Sequence, residues 1–551
     1  MSRNLNSFFS QNPANLDIPR SRFERPQSIK TTFNAGDVIP FYLDEVLPGD
    51  TMSIDTSKVV RMSTLMTPIM DNIYLDTYFF FVPNRLAWDH WKQFMGENTE
   101  SAWIPQTQYT VPQITAPEGG WDEGTIADYL GIPTKVSGLS VSALPLRMYG
   151  LICNEWFRDE NLTDPIYVPT GDANAVGSNG SDYRNDIPKG GKPFKAAKYH
   201  DYFTSALPAP QKGSDVLLPI GNMAPVFAGN YSHNVIGKEP MRFVNRDGFQ
   251  LADGSHPIYV NSNGTSPYYG LASDTPKSST TQTHGLTPSN LYADLTLATG
   301  SSINQLRTAF QVQKLYERDA RGGTRYTELI RSHFSVSSPD ARLQRPEYLG
   351  GSRIPINVTQ VVQASETSAT PQGHTAAYSL SIDSHSDFTK SFVEHGYIMG
   401  LMVARYQHTY QQGLEKTWKR TTREDYYFPV FANLGEQAIK NYEIFAQGTS
   451  ADNEVFGYQE AWADYRYKNN RVSGMMRSNY AQTLDSWHLA DDYDTLPRLS
   501  DEWIREDQNV IDRVIAVSSR VSDQFIADIF VRNISVRPMP VYSVPGLIDH
   551  H

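Results

Sequence analysis

The sequence predicts a mainly β fold with long loop insertions and a few short helices. Aromatic residues form 12% of the 551 residues, and 34 prolines and 37 glycines accompany them. This combination favours strands joined by irregular connections over helix bundles. Apolar residues also recur in strand-length runs bounded by turn residues. With 39% hydrophobic residues, the chain can bury a large core.

Charge and cysteine content exclude several classes of protein. A single cysteine, Cys153, allows no disulfide within the chain and no thiolate-rich metal cluster. A net charge of −12 argues against a surface coated by nucleic acid throughout, but local basic clusters remain allowed. No stretch reaches the ~20 apolar residues of a membrane span, and residues 1–19 lack the apolar core of a secretion signal. We therefore expect a soluble protein, made in the cytoplasm and not inserted in a membrane.

Residues 1–35 are predicted to form a basic N-terminal arm. They carry five positive and two negative side chains, a net charge of +3 in an acidic protein, and show no apolar period. This composition fits a solvated tail or a strap that becomes ordered on a partner, and the polar residues alone favour the tail. The positive residues are Arg3, Arg20, Arg22, Arg25 and Lys30.

Residues 36–160 are predicted to hold the first strands of the core and its first insertions. The run 39–43 places apolar side chains on one side of an extended chain. The run 73–83 alternates at first and then becomes apolar on both sides at 79–81. Such a run is typical of a strand that is buried on both faces.

Two helices are predicted from their end signals. The first begins at Asn84, which can act as its N-cap, and ends at Gly96. The second begins with a capping box formed by Ser302 and Gln305 and ends near Gly322. Their apolar faces are Trp88, Trp91 and Met95 in the first helix and Leu306, Phe310 and Leu315 in the second.

Residues 161–300 are rich in Gly, Ser and Asn and contain few strand-length apolar runs. A structureless loop of this length is unusual inside a compact domain, so we predict an inserted subdomain that projects from the core. Residues 301–551 are predicted to complete the core, and a strand pair near the C-terminus closes a sheet late. The predicted strands there are 354–363, 376–383, 397–406, 509–519 and 525–536.

The segment VVRMSTLMTPIMDNIYLDTYFFFVPNRLAWDHWKQFMG, residues 59–96, resembles coat proteins of the Microviridae, in particular the gokushovirus branch. Three further segments resemble the same family and occur in the family's order. They are RSHFSVSSPDARLQRPEYLGG at 331–351, GLMVARYQHTYQQGL at 400–414 and FIADIFVRNISVRPMPVYSVPGL at 525–547. The resemblance covers most of the chain apart from residues 161–300.

The resemblance implies a single capsid domain built on an eight-stranded antiparallel jelly roll, the viral β-barrel. It also implies assembly through pentamers into a T=1 icosahedral shell around circular single-stranded DNA, so that the mature protein resides in the virion. Residues 161–300 would form a protrusion on the exterior of the shell. Implied partners are scaffolding proteins, DNA-pilot proteins and a receptor on the host surface.

Three basic clusters are candidates for contact with DNA. The first is the N-terminal arm, which could neutralise phosphates or link subunits. The second, residues 307–353, mixes positive and negative side chains, a pattern typical of a solvated helix face with local ion pairs. The third could stack unpaired bases, although packing between subunits explains its aromatic residues equally well. It contains Arg405, Lys416, Trp418, Lys419, Arg420 and Arg423 beside Tyr406 and Tyr410.

Four lysines in the predicted insertion recur at every third residue and are candidates for contact with an anionic host surface. The usual interpretation of lysines in loops is that they only increase solubility. These lysines are Lys189, Lys192, Lys195 and Lys198.

No motif predicts a cofactor, a metal or an enzyme. Asp383, His385 and Asp387 share one strand face but lack a fourth ligand, and residues 491–494 lack the pattern of a calcium loop. The chain has no phosphate-binding loop, nucleophile elbow, metalloprotease helix or dinucleotide fingerprint. The alternative to a structural capsid protein is a secreted carbohydrate-binding or glycan-hydrolysing β-protein, but no motif designates a catalytic carboxyl pair.

Overall fold

Eight long strands form the centre of the protein. In the computed structural model, residues 19–97, 107–216, 303–368 and 371–542 are described, together with the backbone of short strands between 226 and 293. The long strands are β1 (Ser21–Phe33), β2 (Ile39–Val46), β3 (Thr51–Met62), β4 (Ile73–Pro83), β5 (Glu347–Pro355), β6 (Ser381–Ser391), β7 (Gly396–Tyr406) and β8 (Phe525–Arg537).

These strands form two four-stranded sheets. The first sheet has the order β1-β8-β3-β6 and the second has the order β5-β4-β7-β2. All neighbouring strands are antiparallel. The first and last strands pair along their whole length, from Ser21 opposite Arg537 to Phe33 opposite Phe525. The prediction that the C-terminus closes a sheet is thereby confirmed.

The main core lies between the two sheets. Strand β8 shows the expected alternation, since Ile529 and Val531 are buried whereas the intervening Phe530 is exposed. On the second sheet, Phe79 is fully buried, and its ring centroid lies 5.5 Å from Phe41 and 5.6 Å from Phe388. Apolar side chains from both sheets therefore fill one contiguous core.

A second core covers the other face of the second sheet. Phe80 and Val82 of β4 pack there against the helix α1 (Leu144–Ile152) and the loops around it. The apolar run at 79–81 is therefore explained, because consecutive side chains of β4 enter two different cores. The prediction of a strand buried on both faces is confirmed.

The N-terminal region differs from the predicted irregular arm. Ser21–Phe33 form β1, an edge strand whose polar residues alternate with half-buried ones. The Tyr129 hydroxyl donates to the carbonyl of Thr32, so the backbone of Thr32 points away from β8. Pro26 is an even number of residues from Thr32, so its backbone also faces away from β8. The N–H that proline lacks would therefore point outward, and an edge strand tolerates its absence. Because of the polar residues and this proline, the sequence pattern did not predict the strand.

The division of the chain into compact units does not coincide with the predicted boundary at residue 161. The chain divides into two compact units, one of residues 1–212 and 317–551 and the other of Gly213–Tyr316. Ile187 and Phe203 lie in the larger unit and are buried, although glycines and prolines surround them in sequence. Widely spaced apolar residues between tight turns can still fill a core, and periodicity does not reveal them.

The smaller unit contains short antiparallel pairs of strands, and other short pairs decorate the larger unit. In the smaller unit, Val226–Asn230 pairs with Leu291–Ala293 and Val235–Ile236, Phe243–Asn245 with Leu286–Pro288, and Ile258–Asn261 with Gly270–Ser273. In the larger unit, Gln113–Thr115 pairs with Ser140–Ser142 and Ala175–Val176, Val358–Val362 with Thr375–Ser379, and Glu436–Lys440 with Val455–Glu460.

Most helices are short. The predicted helix after Pro83 is split into Asn84–Ala87 and Trp91–Phe94, and Pro83 rather than Asn84 takes the N-cap position. The predicted helix near 303 is confirmed as α2 (Ile303–Gly322), while Ser302 lies outside the described residues. The others are Ile126–Tyr129, α3 (Tyr326–Phe334), Asp340–Leu343, Asn441–Ile444, Asp501–Ile504 and Asn509–Asp512.

One predicted strand, 509–519, is wrong. Asn509–Asp512 is helical, and a loop follows it. Ile511, Val514 and Ile515 are buried at the three- and four-residue spacing of a helical turn. The alternation that suggested a strand was too short to separate the two periods.

Candidate nucleic-acid interface

A cavity of about 460 Å³ opens among the loops that follow β7. Six aromatic rings line it: Tyr202, Phe203, Tyr410, Trp418, Tyr465 and Tyr467. Five basic side chains line it as well: Lys416, Arg420, Lys468, Arg471 and Arg477. The acidic residues of the lining are Glu415, Glu443 and Asp464, which leaves a net charge of +2. We call this cavity the aromatic groove.

Local packing fixes one wall of the aromatic groove. Tyr202, Phe203 and Tyr410 belong to an apolar cluster with Ile439 and Phe456, and the rings of Phe203 and Tyr410 lie 4.7 Å apart. The Tyr202 hydroxyl donates a 2.8 Å hydrogen bond to the carboxylate of Glu443. Burial raises the pKa of Glu443 above its ordinary value, while the nearby Lys416 opposes this shift. These rings therefore form a rigid apolar surface.

Other side chains of the groove are available to a ligand. Trp418 is the last residue of a single 3₁₀ turn, Lys416–Trp418, and its side chain is 74% exposed. Arg471 is exposed, and no carboxylate among the described residues pairs with it. Arg420, by contrast, pairs with Asp464 and lies 4.2 Å above the ring of Tyr465. The groove thus offers both an aromatic platform and an unpaired cation.

The structure brings together three of the predicted residues of the third cluster, Lys416, Trp418 and Arg420, in this groove. Lys419 and Arg423 lie on the same segment, each within 5.5 Å of an aromatic ring, at 5.4 Å from Tyr442 and 5.2 Å from Phe428 respectively. Sequence reasoning missed the basic and aromatic residues of the opposite segment. The run YRYKNNR at 465–471, which alternates basic and aromatic residues, could have revealed them.

Arg405 does not lie in the groove. Its side chain is 13% exposed, and its guanidinium lies 2.6 Å from Asp76 and 4.3 Å above the ring of Tyr199. Burial alone would raise the pKa of Asp76, but hydrogen bonds and charges from Arg353 and Arg405 hold it below its ordinary value. Arg405 is therefore already part of an ion network inside the protein.

The N-terminal cluster is dispersed along β1. Arg3 lies outside the described residues, while Arg20, Arg22 and Lys30 are exposed. The Lys30 ammonium lies 3.6 Å from Asp528. Arg25 donates from Nη1 to Asp44 at 2.9 Å and from Nη2 to Ser535 at 2.9 Å, so it links β2 of one sheet to β8 of the other. This intramolecular role separates Arg25 from the three exposed cations.

The predicted row of four lysines is not a uniformly exposed surface. Lys198 is only 6% exposed, and its ammonium lies 4.5 Å from the ring of Trp503. Lys195 pairs with Asp37 at 2.8 Å, and Lys192 donates to the carbonyl of Glu123 at 2.9 Å. The segment packs against the rest of the larger unit at these positions, because residues within it contribute to the cores. Host contact through Lys189, which is half-buried, or through Lys192 remains a prediction.

The second basic cluster contains local ion pairs, as its mixed charges indicated. Arg325 lies 3.2 Å from Glu328, and the Nε of Arg345 lies 2.8 Å from Asp340, whereas Arg321 pairs with Glu436 outside the cluster.

A buried histidine network lies close to the aromatic groove. His408 is enclosed, with Nδ1 at 3.1 Å from Asp491 and Nε2 at 3.0 Å from Glu506. Burial alone would lower the pKa of His408, but these two carboxylates raise it to about 9. Asp491 is thus bound to an imidazolium, and no group of three or more metal-binding side chains occurs among the described residues. No signal in the sequence had marked His408.

The carboxylates of the weak metal candidate on β6 also have protein partners. Asp383 lies 3.4 Å from the buried ammonium of Lys58, and Asp387 accepts a 2.7 Å hydrogen bond from Thr56.

Within the described part of the chain, no helix is long and apolar enough to span a membrane.

Comparison with known proteins identifies close relatives. The profile of a family described as "Capsid protein (F protein)" matches residues 11–547. The chain is 45% identical over 535 residues to capsid protein VP1 of Spiroplasma virus 4, covering 96% of each chain. It is 44% identical to capsid protein VP1 of Bdellovibrio phage phiMH2K, covering 99% of this chain and 98% of that one. With capsid protein VP1 of Chlamydia phage 1 it shares 42% identity, covering 98% of this chain and 97% of the other.

These relatives carry the names of structural proteins. The resemblance to Microviridae coat proteins is therefore confirmed, and the alternative of a carbohydrate-binding or glycan-hydrolysing protein finds no support.

Proposed function

This chain belongs to the phage capsid protein (F protein) family, and from that premise we propose how its fold and its aromatic groove serve the virion. It is a structural major capsid protein of the Microviridae and not an enzyme. We propose a jelly-roll topology for the sandwich, a shell built from copies of it, and a contact between its aromatic groove and the genome.

The eight strands form a jelly roll. Strand order supports this proposal, since strands that are consecutive in the chain alternate between the two sheets except at β4 and β5. Two Greek keys folded into two four-stranded sheets produce this alternation, and viral capsid domains commonly use it. The long excursion between β4 and β5 carries the inserted material.

Copies of this domain assemble through pentamers into a T=1 shell that encloses circular single-stranded DNA. Assembly takes place in the bacterial cytoplasm with the help of scaffolding and DNA-pilot proteins. The unit Gly213–Tyr316 is the exterior protrusion, and it contacts a receptor on the host surface. Family membership supports the shell, and the separate compactness of this unit supports the protrusion.

The aromatic groove contacts the genome. The observation that carries this proposal is that one cavity is lined both by the exposed ring of Trp418 and by Arg471, a cation that pairs with no carboxylate of the described residues. Unpaired bases stack on aromatic rings, and cations neutralise the phosphates between them, without any need for a base sequence. Lys416, Lys419, Arg420 and Arg423 add positive charge along the same segment. The exposed Arg20, Arg22 and Lys30, together with Arg3, supply a second contact.

Binding of a labelled oligodeoxythymidine to the purified subunit, followed by fluorescence anisotropy, tests this contact. Trp418→Ala should weaken binding about 5- to 150-fold, because one stacked base contributes about 1–3 kcal/mol. Arg471→Gln should lower the dependence of log affinity on log salt by about 0.7, the value for one phosphate contact in a single strand.

Matched controls remove similar side chains elsewhere. Tyr167 is 68% exposed and lies outside the groove lining, so Tyr167→Ala should leave binding unchanged. Arg520→Gln removes an exposed cation and should leave the salt dependence nearly unchanged. Equal losses in the groove variants and the controls would show that the groove has no special part. Electron microscopy of particles from the same variants reports shell formation independently.

A further inference from the structure

A second cavity, of about 310 Å³, lies apart from the aromatic groove and shares none of its lining residues. Five aromatic rings line it, including Tyr78, Phe157 and Tyr199. Its basic lining residues are Arg158, Lys198, His200, Arg325, Arg353 and Arg405. We call it the basic cavity. Its volume falls at the lower end of the range typical of small-molecule sites.

Little negative charge in this cavity remains free to neutralise the cations. Asp159 is the acidic residue of the lining, and its Oδ1 already accepts from the backbone N–H groups of Asn161 and Leu162 at 3.0 Å. The nearby Asp76 is saturated, since it accepts from Arg353, Arg405, Tyr78 and Tyr199. Arg325 is neutralised by Glu160 and Glu328.

Two cations of the cavity form no ion pair with a carboxylate of the described residues, although the charge of the buried Asp491 acts on Lys198. Lys198 is 94% buried (6% exposed), and no acceptor among the described residues receives a hydrogen bond from its ammonium. For Arg158, the described residues supply a carbonyl, that of Thr163 at 2.7 Å, and no paired carboxylate. The Nε of Arg158 is buried and has no hydrogen-bond partner among the described residues. Enclosing a charged donor without an acceptor is costly, so its presence beside a cavity points to an anion that completes the site.

We propose that the basic cavity binds a nucleotide unit, with its phosphate at Lys198 and Arg158 and its base against the aromatic rings. Phosphate suits this set of donors because hydrogen bonds between ionic partners are the strong ones. The rings suit a base because every base has a face that can stack. The choice of a nucleotide over another aromatic anion rests on the proposed capsid function, which places the subunit next to DNA.

Calorimetry on the purified full chain tests the proposal with three probes: deoxyadenosine monophosphate, deoxyadenosine and inorganic phosphate. The monophosphate should bind at least about tenfold more tightly than either of the other two, because only it engages both halves of the cavity. Equal affinity for deoxyadenosine and its monophosphate would overturn the phosphate assignment. Equal affinity for phosphate and the monophosphate would overturn the assignment of a base.

Two variants locate the site. Arg158→Gln should weaken binding of the monophosphate about tenfold or more, since it removes a charged donor. His200→Ala changes an exposed side chain, so it tests the cavity even if Arg158→Gln fails to fold, and it should weaken binding severalfold. Arg184→Gln, which alters an exposed arginine paired with Asp164, is the control. Unchanged affinity in both cavity variants would overturn the proposal.

Competition distinguishes a strand from a free nucleotide as the source of the ligand. The monophosphate is added to subunits that carry a labelled oligonucleotide. If it displaces a fraction of the oligonucleotide from the wild type but not from Arg158→Gln, the cavity is assigned to the DNA strand. Binding of the monophosphate without such release assigns it to a free nucleotide. Failure of the cavity proposal would leave DNA-filled shells in electron micrographs, whereas failure of the capsid function would leave no shells.

Discussion

The interior of the sandwich and the interior of the loop region, residues 407–512, are built from different groups. In the sandwich, strands pair along both sheets and mainly apolar side chains such as Phe79 and Ile529 meet between them. In the loop region, the imidazole of His408 is enclosed between the carboxylates of Asp491 and Glu506. Both interiors exclude water, but the sandwich is filled mainly by apolar contacts around the enclosed ammonium of Lys58, whereas the loop region is built around the charged pair of His408 and its carboxylates.

Backbone geometry accounts for this difference. Strands satisfy each other's N–H and C=O groups, so side chains of a sandwich need only fill space. Loops leave these groups without regular partners, and polar side chains take their place. Arg513, for example, donates to the carbonyls of His488 and Ala490 at 2.9 and 2.8 Å. The sandwich is therefore expected to respond to changes in shape, and the loop region to changes in charge.

Removing part of a strand should have the largest effect. A deletion of residues 1–18 leaves β1 complete, whereas a deletion of residues 1–30 removes ten of its thirteen residues and exposes the edge of β8. We expect the shorter deletion to fold and the longer one to lose its cooperative thermal transition, measured by circular dichroism. A cooperative transition in both deletions would show that β1 is not needed by the sandwich.

A cavity in the sandwich should have the next largest effect. Phe79→Ala is expected to lower the free energy of unfolding by about 3–5 kcal/mol, because Phe79 is fully buried among other rings. Urea titration of the subunit measures this loss. Phe530→Ala, on the exposed face of β8, is the control and should cost about 1 kcal/mol or less. Similar losses at both positions would contradict the assignment of the core.

The loop region should respond to pH through the buried imidazole of His408. Because the pKa of His408 is raised from 6.5 to about 9, its contribution is fully present below pH 6.5 and is lost as the pH rises through about 9. The expected loss of unfolding free energy is on the order of 3 kcal/mol. Burial would raise the pKa of Asp491, but the His408 charge lowers it to about 2, so its contribution is lost only as the pH falls through about 2.

The variant His408→Gln removes the titrating group and serves as the control for this pH dependence. Thermal melts between neutral and alkaline pH should show a shallower decline in the variant than in the wild type. An equally steep decline in both proteins would mean that other groups, such as Tyr406 or Tyr493, cause it.

The smallest effect on stability is expected at the aromatic groove. Trp418 is 74% exposed and contributes to neither interior, so Trp418→Ala should change the free energy of unfolding by no more than about 0.5 kcal/mol. Urea titration checks this value beside the anisotropy measurement of DNA binding. A much larger loss of stability would place Trp418 among the structural residues and remove it from the proposed platform.

Local patterns predicted the elements whose side chains have a clear period. The apolar run of β4, the helix α2 and the presence of a strand near the C-terminus all follow from residues close together in sequence. The pattern failed for β1, because it is a polar edge strand, and for Asn509–Asp512, because the apolar run is too short. Half of the groove was also predictable, since Lys416, Trp418 and Arg420 form one basic and aromatic segment.

By itself, the sequence determined the mainly β class, the absence of intrachain disulfides and the membership in a capsid family, since composition and long motifs are carried by the chain directly. Tertiary structure decided which charges remain free. Arg25, Arg405 and Lys198 look like any other cations in the sequence, yet folding places each of them against groups distant along the chain. A side chain's charge is local, but its neutralisation depends on contacts that only the assembled fold creates.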